Sequence, residues 1–122
     1  MSLRPKPIVL IVEDEALIRM LAVDAFLEAG FEVLEAEHAA AALLRHADAA
    51  EVHVLFTDVN MPGEMNGIDL AEHLRAAAPA LHIIVTSALP ILRPVDHIGA
   101  RFVTKPYDLE EVCCLAHALV AA

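Results

Sequence analysis

Short, almost wholly apolar runs alternate with longer amphipathic stretches along this chain. The first run, Ile8–Val12, is a continuous series of β-branched and leucine residues, which is typical of a strand covered on both faces. In the next stretch, apolar residues recur at helical spacing as far as Ala29, and Gly30 follows where a helix commonly ends. The same alternation continues to the carboxyl terminus. The other predicted strands are 31–34, 52–57, 82–85 and 101–104, and the other predicted helices lie within 38–47, 68–78 and, from a capping box at Asp108 and Glu111, 109–120.

Five strands separated by helical stretches predict an α/β fold, a parallel sheet with helices on both faces. Right-handed crossovers make such a sheet doubly wound, and five strands suit the flavodoxin-like order 2-1-3-4-5. We expect the fourth helix to be irregular, because Pro90 and Pro94 disfavour a helix interior over residues 89–98. The 122 residues suffice for one core, so we expect a single domain at 8–122 after a flexible leader at 1–7.

Composition narrows the class of protein. Hydrophobic residues make up 58% of the chain and charged residues 21%, which is typical of a globular domain. No apolar run approaches the roughly 20 residues that cross a bilayer, and the first residues lack the apolar segment of a signal peptide, so we expect a cytoplasmic protein without a membrane partner. The net charge of −10 repels phosphates, so we expect no nucleic-acid binding. The adjacent Cys113 and Cys114 lack metal-ligand spacing and are interpreted as reduced structural thiols.

Reactive polar residues stand at the carboxyl ends of four predicted strands. Glu13 and Asp14 follow the first strand, Asp58 the third, Thr86 the fourth and Lys105 the fifth. In open parallel sheets, ligands bind beyond the carboxyl ends of the strands, near the switch in strand order. The first and third strands are neighbours at that switch. We therefore expect the three carboxylates to meet in one pocket, with the hydroxyl and the ammonium group beside them.

Three converging carboxylates repel one another, so a cation or protons must neutralise them. A ligand set of oxygens without His or Cys suits a hard cation such as Mg²⁺. A lysine and a hydroxyl beside that cation supply the charge and the donor that hold a phosphoryl group. In this setting Asp58 is the carboxylate that can attack phosphorus and form an acyl phosphate.

These residues resemble the receiver domain of bacterial response regulators, including the chemotaxis regulators. The resemblance extends from Ile8 to Ala122, and the features that carry it are the Glu13-Asp14 pair, the segment 58–62 with Gly67 after it, Thr86 and Lys105-Pro106. It implies a two-component or phosphorelay protein that takes its phosphoryl group from the phosphohistidine of a sensor kinase or a phosphotransfer protein. It also implies a signalling domain that turns over no small molecule and that dimerises weakly or on phosphorylation.

The resemblance assigns the metal ligands. Asp14 and Asp58 would bind Mg²⁺ (or Mn²⁺) directly, together with the backbone carbonyl of Asn60, and Glu13 would act through water. The loop between Asp58 and Gly67 has one residue more than the commonest receivers have. We expect that residue to alter the loop beside the pocket without displacing the metal ligands.

The resemblance also assigns the groups around the phosphoryl group. Asp58 would be the phosphoacceptor, Lys105 would pair with a phosphoryl oxygen, and the Lys105–Pro106 peptide bond would be cis. Thr86 would donate to the phosphoryl group while Phe102 changes rotamer alongside it. For Phe102 the alternative is an ordinary core position, since a phenylalanine in a strand is usually buried.

Two other classes of function compete with a phosphorylated receiver. A pseudo-receiver would bind partners without phosphorylation, and the complete set of site residues argues against it. A flavodoxin-like or nucleotide-binding enzyme could share the fold, because a fold does not determine a function. Such an enzyme would carry a glycine-rich phosphate loop after the first strand, where this chain has Glu13, Asp14 and Glu15.

Overall fold

The computed structural model describes residues 5–122, which form a five-stranded parallel sheet with helices on both faces. The strand order is β2-β1-β3-β4-β5, which confirms the predicted topology. The strands are β1 (Ile8–Val12), β2 (Glu32–Ala36), β3 (Val54–Asp58), β4 (His82–Ser87) and β5 (Arg101–Thr104), and the α-helices are α1 (Ala16–Glu28), α2 (Ala39–Asp48), α3 (Gly67–Ala77) and α4 (Leu109–Ala121).

Two apolar cores lie on opposite faces of the sheet, because successive side chains of a strand point to opposite faces. Leu10 and Leu55 are fully buried in the core that α2 and α3 cover. Val9 and Phe56 belong to the other core, which α1 and α4 cover. The central strands are therefore apolar at most positions, and apart from His82 at the start of β4 their polar side chains come at the carboxyl ends.

The predicted leader at 1–7 lies partly outside the described residues, which begin at Pro5. The carbonyl of Pro7 accepts a hydrogen bond of 2.9 Å from the Glu32 amide. The hydrogen bonding of the sheet therefore begins one residue before β1.

Residues 88–99 contain no α-helix, so the predicted irregularity of the fourth helix is confirmed. Within this segment the structure has only a 3₁₀ turn, Asp96–Ile98, which ends at Gly99 in the left-handed region (φ 66°). Proline removes a backbone donor and clashes with the preceding turn of a helix, so Pro90 and Pro94 account for the missing helix. In the described part of the chain, β5 therefore follows a loop instead of a helix.

Charged side chains hold segment 88–99 against α3. One terminal nitrogen of Arg93 lies 2.9 Å from an Asp69 carboxylate oxygen and 2.8 Å from a Glu72 oxygen. The second Glu72 oxygen lies 2.7 Å from His97 Nε2. At the end of the segment, Arg75 Nε donates to the Ile98 carbonyl at 2.6 Å. These polar contacts add to the apolar packing of the segment, in which fully buried Ile98 shares a core with α3.

The capping box predicted at α4 is wrong in one respect, because Asp108 caps the helix but Glu111 does not take part. Asp108 does cap the helix, but its carboxylate accepts from the Glu110 amide at 2.8 Å and forms no reciprocal box with Glu111 in the described structure. The carboxylate reaches the second amide of the helix, one residue short of the position that a capping box uses. A complete capping box is present at α3, between Asn66 and Asp69.

Candidate functional site

Three carboxylates converge at the carboxyl edge of the sheet, as the sequence predicts. One oxygen each from Glu13, Asp14 and Asp58 lie within 4.8 Å of one another. Glu13 and Asp58 are only 5% and 6% exposed, whereas Asp14 is exposed to solvent. The cluster forms because β1 and β3 are hydrogen-bonded neighbours that end side by side. Its donors are all oxygens, which is the ligand chemistry that Mg²⁺ prefers.

Lys105 supplies the positive charge in this cluster. Its Nζ donates a 2.8 Å hydrogen bond to Asp58 Oδ2. Burial lowers the pKa of the Lys105 ammonium group, but the hydrogen bond and the charge of Asp58 outweigh that effect and raise the pKa above its usual value. Lys105 is therefore a cation at neutral pH, and it contacts Asp58, the carboxylate predicted from the sequence to attack phosphorus. The peptide bond between Lys105 and Pro106 is cis.

Glu13 is the carboxyl group whose ionisation the site changes most. Burial raises the pKa of Glu13 to about 7, although a 3.0 Å hydrogen bond from the Glu15 amide lowers it. A hydrogen bond with Asp14 and the negative charge of Asp58 contribute to this raised pKa, and the positive charge of Lys105 opposes it. Near neutral pH, a bound cation and a proton would therefore compete for the same buried carboxylate.

The ends of β3 and β4 bring Thr86 beside Asp58. The two residues are partners in the sheet register, and Thr86 is 2% exposed. The Val59 amide donates to the Thr86 carbonyl at 3.0 Å, so the paired strands continue one residue beyond Asp58. Asn60 is exposed, and its amide lies 3.4 Å from Asp58 Oδ1, a long contact for a hydrogen bond.

Ser87, the last residue of β4, forms a local turn and makes no contact with the carboxylates in the described structure. Its hydroxyl donates to the Leu89 carbonyl at 2.6 Å, and its oxygen accepts from the Leu89 amide at 3.1 Å. These bonds form a turn in which the chain leaves the sheet after Ser87.

Gly67 packs against the backbone of Asp58, a contact that sequence reasoning missed. A Cβ atom at this position would lie 2.0 Å from the Asp58 carbonyl oxygen and 2.9 Å from Val59 Cα. The Gly67 amide donates to the Val59 carbonyl at 2.8 Å, which closes the loop between them. The signal in the sequence was a glycine at the first position of a helix, where it has no advantage in propensity.

Phe102 lies on β5 and is 40% exposed, so the core alternative for this residue is wrong. Among the described residues no α-helix lies between β4 and β5, and three of the four residues of β5 are exposed. Phe102 borders an open groove of about 490 Å³, together with Tyr107 and Leu115. Tyr107 packs edge-on against Phe56 of the core at 5.7 Å between ring centroids.

Comparison with known sequences assigns the chain to a family. The sequence model of the response regulator receiver domain matches residues 9–116, and the chain belongs to this family. It is 32% identical to the chemotaxis protein CheY of Thermotoga maritima, over 85% of this chain and 89% of CheY. It is 31% identical to the DNA-binding transcriptional regulator NtrC of a Bradyrhizobium strain, over 96% of this chain. The chain spans only about a quarter of that NtrC.

Solved structures give the same assignment. A response regulator receiver protein from Pseudomonas putida superposes with a TM-score of 0.81 at 30% identity, over 98% of both chains. The chemotaxis protein CheY4 of Vibrio cholerae superposes with a TM-score of 0.81 at 24% identity and shares the fold. The predicted family is therefore confirmed. Receiver domains are signalling domains of two-component systems and turn over no small molecules. Among residues 5–122, none of the helices has the length and apolar character needed to span a membrane.

Proposed function

We propose that this chain receives a phosphoryl group on Asp58 from the phosphohistidine of a sensor kinase or a phosphotransfer protein, in a Mg²⁺-dependent reaction in the cytoplasm. Residues 8–122 would form the receiver and residues 1–7 a leader. The observation that carries the proposal is the position of Asp58, which is buried, lies close to two other carboxylates and is 2.8 Å from the Lys105 ammonium group.

The donor set fits a hard divalent cation. The carboxylates of Asp14 and Asp58 and the backbone carbonyl of Asn60 would hold Mg²⁺ (or Mn²⁺), with Glu13 acting through water. When bound, the cation would supply positive charge to the carboxylates and to the incoming phosphoryl oxygens. The raised pKa of Glu13 supports this role, because this buried carboxyl group lacks enough positive charge of its own.

The chain's own residues would perform the transfer. A carboxylate oxygen of Asp58 forms a bond to phosphorus while the bond from phosphorus to the donor's histidine nitrogen breaks and the imidazole leaves with the electron pair. Lys105 would move from Asp58 Oδ2 to a phosphoryl oxygen and balance its charge. Thr86 would donate its hydroxyl hydrogen to another phosphoryl oxygen. These groups contribute position and charge, which are what phosphoryl transfer requires.

The phosphorylated state would be transmitted to a protein-interaction surface through the end of β4. Movement of Thr86 towards the phosphoryl group would shift segment 88–99, which follows it directly, and the exposed Phe102 would change rotamer. A protein target or a weak, phosphorylation-dependent dimer would recognise the altered surface. The acidic chain would not contact nucleic acid in this role.

Phosphorylation can be tested by intact-mass spectrometry. The protein is incubated with Mg²⁺ and acetyl phosphate, and we expect a mass gain of one phosphoryl group that EDTA prevents. Asp58→Asn should abolish the gain, whereas Asp48→Asn, an equal change at an exposed position on α2, should not. If the folded wild-type protein gains no mass with either acetyl phosphate or phosphoramidate, the proposal fails and a pseudo-receiver becomes the better interpretation.

A further inference from the structure

Arg19, in the first turn of α1, holds the turn that presents the two acidic residues after β1. Its NH1 donates a 2.8 Å hydrogen bond to the backbone carbonyl of Glu13. Its Nε donates to a Glu35 carboxylate oxygen on β2 at 3.0 Å. The Arg19 side chain is only 18% exposed, and its charge-assisted bond to the Glu13 carbonyl is partly buried, whereas the Glu35 side chain is 52% exposed.

Within the turn between β1 and α1, the Glu15 amide donates to Glu13 Oε2 at 3.0 Å, and few other hydrogen bonds restrain it in the described structure. Glu15 is the N-cap of α1, but its side chain makes no capping hydrogen bond, and the first turn of the helix carries no acidic residue. The Glu13 amide donates to the Ala36 carbonyl at 3.1 Å, which fixes the peptide group before the Cα of Glu13. Arg19 holds the carbonyl of the peptide group after it. The backbone of Glu13 is therefore clamped between the end of β2 and α1.

We propose that Arg19 is a positioning residue for the metal site. Anchored on β2 by Glu35, it fixes the Glu13 carbonyl so that the side chains of Glu13 and Asp14 remain within reach of Asp58. This inference rests on the proposed function, since it assumes that the three carboxylates bind a divalent cation. Arg19 acts on that cation only through the backbone of the turn.

Removing Arg19 should change Mg²⁺ affinity in opposite directions, depending on whether Arg19 positions the ligands or acts only through its charge. A guanidinium group beside a cation site repels the cation, so the loss of its charge alone would tighten Mg²⁺ binding. The loss of a group that orients metal ligands weakens binding, typically by 10- to 100-fold. The direction of the change therefore distinguishes a positioning residue from a nearby charge.

The test is a Mg²⁺ titration followed by the amide resonances of residues 13–15 and 58–60 in ¹H–¹⁵N spectra. Arg19→Met keeps an apolar stem but removes both donors, and we expect the Kd for Mg²⁺ to rise by about 10-fold or more. Arg19→Lys, which keeps a single flexible donor group, should give a smaller rise, and Glu35→Gln should also weaken binding. The matched control is Arg45→Met, an equal change of charge on the last turn of α2, which should leave the Kd unchanged or slightly lower.

A second measurement separates the metal site from the transfer step. With acetyl phosphate as donor, we expect Arg19→Met to be phosphorylated slowly at low Mg²⁺ and to regain most of the wild-type rate at saturating Mg²⁺. A purely structural defect would lower the rate at every Mg²⁺ concentration, and that result would count against the positioning role.

The remaining outcomes are also decisive. An unchanged or lower Kd in folded Arg19→Met would overturn the inference. If Arg19→Met does not fold, an unchanged Kd in both Arg19→Lys and Glu35→Gln would overturn it. If the wild-type protein binds no Mg²⁺, the proposed function fails. If the wild type binds Mg²⁺ and the variant binds it equally well, only the inference about Arg19 fails.

Discussion

Replacing Gly67 with alanine tests whether the close contact between Gly67 and Asp58 affects stability more than the gain in helix propensity that alanine brings. In an exposed helix position, the same replacement stabilises a protein by about 0.5–1 kcal/mol. Here the new Cβ atom would lie 2.0 Å from the Asp58 carbonyl oxygen. Non-bonded contacts of a Cβ atom shorter than 3.0 Å essentially never occur, so the two backbones must separate by about 3.0 − 2.0 = 1.0 Å.

That separation is costly because neither backbone is free to move. Asp58 is the last residue of β3 and is paired with β4, and the Gly67 amide is hydrogen-bonded to Val59. Overpacking of this kind costs about 1–3 kcal/mol, which exceeds the propensity gain. We expect a net loss of about 1 kcal/mol in the free energy of unfolding, and a fall in Tm of roughly 3–6 °C for a domain of this size.

Urea denaturation measures the change, with Ala76→Gly as the control. Ala76 is an exposed residue of the same helix, and its replacement by glycine should cost about 0.5–1 kcal/mol from propensity alone. Alanine should thus be favoured at position 76 and disfavoured at position 67. A Gly67→Ala variant as stable as the wild type would refute the steric argument, and an intact phosphorylation rate would show that Asp58 had not moved.

Three further predictions follow from the contacts of the folded chain. The hydrogen bond from the Asn66 amide, aided by Arg93, lowers the pKa of Asp69 below its usual 3.8. The ionised Asp69 carboxylate therefore stabilises the folded protein fully above pH 3.8, and this stabilisation is lost as the pH falls through the lowered pKa. Asp69→Ala should therefore lower the free energy of unfolding, measured in urea titrations, by about 1 kcal/mol at pH 7 and by progressively less below pH 3.8. The control Glu64→Ala, in the exposed loop, should change it by less than about 0.5 kcal/mol at either pH. Burial raises the pKa of Cys113 to about 11, whereas Cys114 is exposed, so a thiol reagent should label one cysteine in the native protein, two in urea, and none in native Cys114→Ser. Phosphorylation or a phosphoryl mimic should change amide hydrogen exchange in residues 88–99, and equal exchange in both states would disprove the proposed movement of this segment.

The sheet and the carboxylate cluster could be predicted because both depend on short-range patterns. Apolar runs mark buried parallel strands, and the rule for strand order then brings Glu13 and Asp58 to one edge. Boundaries were less accurate: Asp58 is the last residue of β3 and not the residue after it. The strand ends depend on hydrogen bonds to neighbours, such as the pairing of Asp58 with Thr86, which no single segment encodes.

Contacts between distant segments could not be predicted in the same way. The exposure of Phe102 depends on whether a helix covers β5, and prolines alone do not specify where the replacement loop will lie. The contact of Arg93 with Glu72 joins segments 21 residues apart, and each residue alone resembles an ordinary surface charge. The clamp of Arg19 on the Glu13 carbonyl was likewise hidden, because its acceptor is a backbone atom.

The charge of Lys105 beside Asp58 also bears on the valence of the ion that would suit the proposed site. With Glu13, Asp14 and Asp58 ionised, the three carboxylates carry a charge of −3, and Lys105 reduces it to −2. A divalent ion makes this pocket electroneutral, whereas a monovalent ion leaves it anionic and a trivalent ion makes it cationic. Before any phosphoryl transfer, Lys105 would thus act as an internal counter-ion: with a neutral side chain at position 105, the same three carboxylates would be balanced by a trivalent ion.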